Sequence, residues 1–260
     1  MKVIKHTIES EVAYLLPLSD MHIGDKGCDY KKIQGYLDWV KKEKNARVFL
    51  NGDILNIATI SSASNPFEQD MNTEQQLEMA TKMLTPIKGK ILGCISGNHE
   101  QRMERYAGYN PLIPLCSALG IPWCNYSAVL DITLATGKHK RLNKDQGDKT
   151  KYTFYCHHTT GGGGTVGSKL NRVAKLREIV GNVDCYIGSH NHQLGVIPVE
   201  SREYNERKGV VEPRRQLLVD SGSFLKWEDA YSEMTQLQPV KLGAVRIRMD
   251  GKKKDLHCDL

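Results

Sequence analysis

Five short apolar runs in this chain each end in the same kind of residue. VAYLLPLSDMH (residues 12–22), ARVFLNGD (46–53), KILGCISGNHE (90–100), KYTFYCHH (151–158) and VDCYIGSHNH (183–192) pass from β-branched, aromatic and leucine-rich sequence straight into Asp, His and Asn. A hydrophobic core has no use for such groups after every strand, because a buried polar group without a partner is costly. Loops at the carboxyl ends of strands in an open α/β sheet do have a use for them, since they converge on one crevice. The recurrence therefore predicts an α/β chain that gathers carboxylate, imidazole and amide groups at one end of its sheets.

The stretches between the runs agree. YKKIQGYLDWVKKE and NTEQQLEMATKML carry helical spacing, the second with Leu77, Ala80 and Leu84 on one side. PLIPLCSALG reads as a short helix ended by Gly120, and SKLNRVAKLREIV as a helix turning Leu170, Val173, Ala174 and Leu176 inward. The second half is richer in strands. SAVLDITLATG and KYTFYCHH flank a polar segment, KHKRLNKDQGDK, expected as an exposed hairpin loop. GVIPVES, RRQLLVDSGS and GAVRIRMDG add further strands, and the tail GKKKDLHCDL is expected to be solvated. No repeat or Pro/Ser/Gly linker divides residues 1–260, so one domain is expected.

Composition narrows the class. With 40% hydrophobic and 25% charged residues the chain reads as an ordinary folded protein. Its net charge of +6 suits anionic ligands, nucleic acid included, without singling one out. Seven cysteines form no C-x-x-C pair and several sit inside apolar runs, the pattern of buried thiols in a reducing compartment. The opening MKVIKHTIESEVAYLLPLSD is broken by Glu9 and Glu11 before an apolar stretch forms, so it does not read as a signal peptide. No run is long enough for a spanning helix. The expected location is the cytoplasm, with no membrane partner.

Asp, His and Asn together make a nitrogen and oxygen donor set without thiolate, suited to Mn, Fe, Zn, Co or Ni. About seven candidate donors exceed the four that one tetrahedral ion takes. Two ions bridged by a shared carboxylate would use them all. Such a pair, about 3.5–4 Å apart, serves in-line hydrolysis of phosphate esters.

In order along the chain, DMH, NGD, GNHE, a His after a strand, and GSHNH resemble the five blocks of the calcineurin-like metallophosphoesterases. The resemblance spans Asp20 to His192 and implies a sandwich of two mixed β-sheets flanked by helices. It also implies two divalent cations, Mn foremost, and attack by a metal-bridging hydroxide. By the same resemblance Asp20, His22 and His192 would hold the first ion, with Asp53 bridging. Asn98, His157 and His190 would hold the second, and His99 would contact the scissile phosphate or protonate the leaving oxygen. The family uses the first His after the strand, so His157 is expected rather than His158.

Glu100 departs from the Asp more common after GNH. HHTTGGGG is also unusual, and Gly161 to Gly164 fit either a mobile lip at the site or a plain connector. Arg102, Arg105 and Asn98 are candidate substrate contacts. Lys169, Arg172 and Lys175 form a basic row that fits a phosphate or nucleic-acid contact surface, although such a row opposite an apolar stripe is usually a solvated helix face. His6, His139 and His257 have no partners nearby in sequence. The expected substrate is a phosphate ester, most readily a phosphodiester and DNA among them, by similarity to SbcD-type nucleases. A phosphomonoesterase, a protein phosphatase, or a binding module keeping the fold without catalysis are the alternatives.

Overall fold

The computed structural model describes residues 1–60, 62, 66–136, 149–161, 164–228, 233 and 238–260. In chain order the first half contains β1 (Lys2–Ile8), β2 (Val12–Leu18), α1 (Tyr30–Lys42), β3 (Ala46–Asn51), α2 (Thr73–Leu84), β4 (Ile91–Ile95), α3 (Asn98–Ala107) and α4 (Leu112–Leu119). The second half contains β5 (Ser127–Ala135), β6 (Lys149–His158), α5 (Val166–Lys175), β7 (Cys185–Ser189), β8 (Leu194–Asn205), β9 (Val210–Ser221), β10 (Arg246–Asp250) and β11 (Leu256–Asp259). They form two mixed sheets, ordered β1-β5-β6-β7-β9-β8 and β11-β10-β2-β3-β4.

The strands β2, β3 and β4 run parallel and are buried on both faces, which is why their sequences are continuous apolar runs rather than alternating ones. One face packs Leu16, Leu18, Val48 and Leu50 against Ile33 and Leu37 of α1, Ala80 and Leu84 of α2, and Leu115 of α4. The opposite face packs Leu15, Phe49 and Ile95 against Leu130, Tyr152, Phe154 and Ile187 of the other sheet. Beyond that sheet, Tyr155, Tyr186 and Leu218 meet Val173 and Leu176 at the end of α5. The result is a sandwich of two sheets with helices on both outer faces, the architecture the sequence implied.

Helix ends follow local chemistry. Asn72 and Gln75 form a reciprocal capping box at the start of α2, and Gly120 closes α4 in the left-handed region. Two edge strands were not legible in the sequence. Lys2–Ile8 pairs in parallel with β5, and Leu256–Asp259 pairs antiparallel with β10, so part of the tail expected in solvent is a strand. The expected loop KHKRLNKDQGDK lies outside the described residues except for Lys149, where β6 begins. The flanking strands do pair antiparallel, from Ser127 opposite His157 to Ala135 opposite Lys149. All seven cysteines are free and six are buried. Among the described residues no helix is long and apolar enough to cross a membrane.

Candidate metal centre

The strand-end residues converge where the two sheets open at one end. Asp20 and His22 follow β2, Asp53 follows β3, and Asn98 opens α3 just beyond β4. From the other sheet come His158 at the end of β6, and His190 and His192 beyond β7. Asp20, His22, Asp53, His190 and His192 all have positive φ, between 46° and 77°. Each such non-glycine residue costs on the order of 1–3 kcal/mol and persists only where its surroundings enforce it. Strand alternation therefore does not orient the Asp20/His22 and His190/His192 pairs. Sharp left-handed turns past the strand ends do.

Two glycines make the convergence possible. At Gly97 an added Cβ would run into the Asp53 backbone nitrogen and carboxylate. Gly52 has φ +87°, and a Cβ there would sit 2.6 Å from His158 Nδ1.

On one side of the cluster His192 Nε2 lies 3.3 Å from Asp20 Oδ1 and 3.1 Å from His22 Nε2. On the other side His158 Nε2 lies 3.2 Å from Asp53 Oδ2 and 3.1 Å from Asn98 Oδ1, with the His190 ring centroid 5.4 Å from its own. Between them, His22, Asp53 and His99 bring donor atoms within 4.8 Å of one another. Asp53 belongs to this group and to the group with His158 and His190.

His158, not His157, therefore occupies the position beside Asp53 and Asn98. Along β6 the residues Tyr152, Phe154 and Cys156 face the inter-sheet core, and His158 continues that parity. His157 follows Tyr155 on the outer face, where its Nδ1 is buried without a partner. His158 Nδ1 lies 3.0 Å from the Asn51 carbonyl, and donating to it leaves Nε2 free toward the site. Asn51 and Ser189, which hold that carbonyl and ring in place, escaped the sequence reading because nothing distinguishes them from ordinary strand-end polar residues.

Burial would raise both carboxyls, but the neighbouring histidines outweigh it. Asp20 is held at about 2 beside His192. His158 and His99 hold Asp53 well below the usual carboxylate range. Burial also opposes charge on the imidazoles, pushing His22 well below its ordinary value and His190 down to about 4. His158 goes the other way, up to about 10, because the adjacent Asp53 carboxylate outweighs its burial. The centre thus offers ionised carboxylates and predominantly neutral imidazoles, the protonation states that ligate cations.

His99 sits in the first turn of α3. Its backbone N–H donates to Asp53 Oδ1 at 2.9 Å, its Nδ1 bonds the Asn56 carbonyl, and its Nε2 lies 3.8 Å from Asp53 Oδ2. Glu100, the departure noted in the sequence, is fully buried and does not line the centre. Its carboxylate accepts from the backbone N–H groups of Asp53, Ile54, Leu55 and Gly97 at 2.8–3.1 Å, tying the loop after β3 to the start of α3.

Arg102, one turn after His99, donates to Ser62 Oγ at 2.8 Å, and Arg105 is exposed. The basic row of α5 does not hold together as a surface. Lys175 is exposed, Arg172 bonds the Thr160 carbonyl beside Gly161, and Lys169 is buried. Of the glycine run, Gly162 and Gly163 lie outside the described residues, as does His139.

The donor set fits a pair of divalent cations. Asp20 Oδ1, Asp53 Oδ2 and His22 Nδ1 are buried without a hydrogen-bond partner among the described residues. Two buried carboxylate oxygens with only imidazole nitrogens close by offer ready ligands to a cation. Nitrogen and oxygen donors without thiolate are the chemistry of the borderline divalent metals. A search of the curated proteins finds no match. The sequence model of the calcineurin-like phosphoesterases, whose chemistry is metal-dependent phosphoester hydrolysis, matches residues 15–194, a span that contains all five strand ends. With its matched span, two-sheet sandwich and buried His/Asp donor groups, this chain belongs to the calcineurin-like phosphoesterase family.

Proposed function

We propose that this protein hydrolyses phosphodiesters with two divalent cations, Mn²⁺ foremost. Asp20, His22 and His192 hold one ion, Asn98, His158 and His190 hold the other, and Asp53 is shared. The observation that carries this reading is the position of Asp53, whose carboxylate stands between histidines delivered by both sheets. Bound there, the ions supply Lewis-acid polarisation of the phosphoryl oxygens and a water activated as nucleophile.

His99 serves the leaving group. Its Nδ1 is occupied by the Asn56 carbonyl, so Nε2 is the nitrogen that faces the substrate. An anionic phosphoryl group beside the ring favours the imidazolium, which donates its Nε2 proton to the departing oxygen. Arg102 flanks the same side of the centre, and Arg105 is a more distant, exposed cation for substrate. The net charge of +6 supports an anionic diester, DNA included, as partner. The buried free thiols support placement in the reducing cytoplasm.

Elemental analysis paired with bis-p-nitrophenyl phosphate hydrolysis tests the proposal. The expected result is about two ions per chain, with activity lost on chelation and restored by Mn²⁺. Fe, Zn, Co and Ni serve as further arms. p-Nitrophenyl phosphate separates a monoesterase from a diesterase, and single-stranded and duplex DNA test nuclease action. Hydrolysis equal in wild type and Asp53→Asn would overturn the reading.

A further inference from the structure

Lys169 lies on α5, in a basic row that the sequence reads either as a phosphate or nucleic-acid contact surface or as a solvated helix face. Yet the residue is only 4% exposed. Its ammonium makes no hydrogen bond, and no ion pair within 4.0 Å, among the described residues. The side chain is largely withdrawn from water, and an ammonium drawn partly out of water without a close partner is under a desolvation cost. The nearest compensation is electrostatic: burial pulls Lys169 below its ordinary value and the Asp220 carboxylate pulls it back. Asp220 is itself fully buried, accepts from Asn191 Nδ2 at 3.0 Å through Oδ2, and leaves Oδ1 unpartnered.

Lys169 lines a cavity of about 190 Å³ that shares His192 with the metal centre. Trp227, Val240 and Leu242 supply apolar walls, and Lys226 and Glu228 add opposite charges at exposed positions. Pockets that enclose drug-sized ligands run to about 300–1,000 Å³. This one is the size of a single ring, too small for a stretch of polymer. Its place relative to His99 gives it a role. The His22 ring touches both those of His192 and His99, with centroids 5.0 and 4.5 Å away. The cavity is lined by His192 and not by His99, so it meets the centre on its His192 side.

We infer that this cavity is the subsite for the substituent that stays on phosphorus when a phosphodiester is cleaved. It takes one ring carrying an oxygen acceptor, to which the Lys169 ammonium donates. The inference rests on the diesterase reading above, with the leaving oxygen at His99, and makes Lys169 and Trp227 determinants of specificity.

Bis-p-nitrophenyl phosphate and methyl p-nitrophenyl phosphate release the same leaving group and differ only in what stays on phosphorus. The ratio of their kcat/KM values, compared between wild type and variant, cancels the intrinsic reactivity of the two esters. Lys169→Met is expected to lower the ratio about tenfold, the worth of one hydrogen bond from a charged donor. Trp227→Ala is expected to lower it several-fold, with metal content kept in both variants. Removing Lys169 also takes away the cation that faces the buried Asp220, so Val240→Trp, which fills the cavity and leaves both residues in place, provides a second test and is expected to lower the ratio as well. Wild-type ratios in Trp227→Ala and Val240→Trp, with metal bound and hydrolysis intact, would overturn the subsite while leaving the diesterase reading standing. A metal-loaded wild type that cleaves neither ester would overturn both.

Discussion

At His157 and His158 two identical side chains, adjacent in sequence, have opposite fates. The family pattern favours the first, and the pleat of β6 selects the second, because only His158 shares the core-facing parity of Phe154 and Cys156. That parity was present in KYTFYCHH, but Tyr155 and Tyr152 make both faces apolar and blur it. His158→Ala should lose one metal ion per chain and at least about a hundredfold in activity, whereas His157→Ala should keep both, as elemental analysis and diester hydrolysis would show. The same residue sets a pH dependence in chelated protein. Its folded value, about 10, lies above its ordinary 6.5, so the protonated ring stabilises the fold fully below pH 6.5. That contribution should fade as pH rises toward 10. Denaturant unfolding of chelated wild type should weaken across this window, and chelated His158→Gln should show a flatter profile.

Among elements, α3 shows how a motif acts through its backbone. GNHE reads as a site because Asn98 and His99 carry recognisable chemistry, and the sequence leaves Glu100 only as an anomaly. In the fold Glu100 is the clamp between two loops, accepting four backbone N–H groups. Glu100→Ala strands those donors in the interior and should cost about 3 kcal/mol or more in urea unfolding. Glu100→Gln, which keeps one acceptor oxygen, should cost less. Gly97→Ala should be as damaging to activity as loss of Asp53 itself, since its methyl group needs the space that Asp53 fills. Kinetics of a folded, metal-loaded Gly97→Ala protein equal to wild type would contradict that. The edge strands β1 and β11 illustrate the opposite case. Their residues are largely exposed, so no apolar pattern announces them, and only pairing with β5 and β10 makes them strands.

For the molecule as a whole, the candidate donors are divided between the sheets: Asp20, His22, Asp53 and Asn98 from one, His158, His190 and His192 from the other. Cations bound there would staple the sandwich at its open end. Ions that bind the folded chain and not the unfolded one stabilise by about 2.7 kcal/mol at a hundred times Kd. For a chain of this size that should raise Tm by about 5–10 °C, and calorimetry with and without chelator would measure it. A Tm indifferent to metal would argue that the two halves of the centre do not close on an ion. The sequence by itself determined the buried parallel strands, the helices between them and the chemistry of the donors, because continuous apolar runs and the residues that end them are local facts. Tertiary structure alone decided that His158 faces inward, that Lys169 leaves the solvent for a cavity beside His192, and that the chain's outermost strands form. Each of those depends on which face meets another element, and a one-residue change of face cannot be read from a segment whose two sides are equally apolar or equally polar.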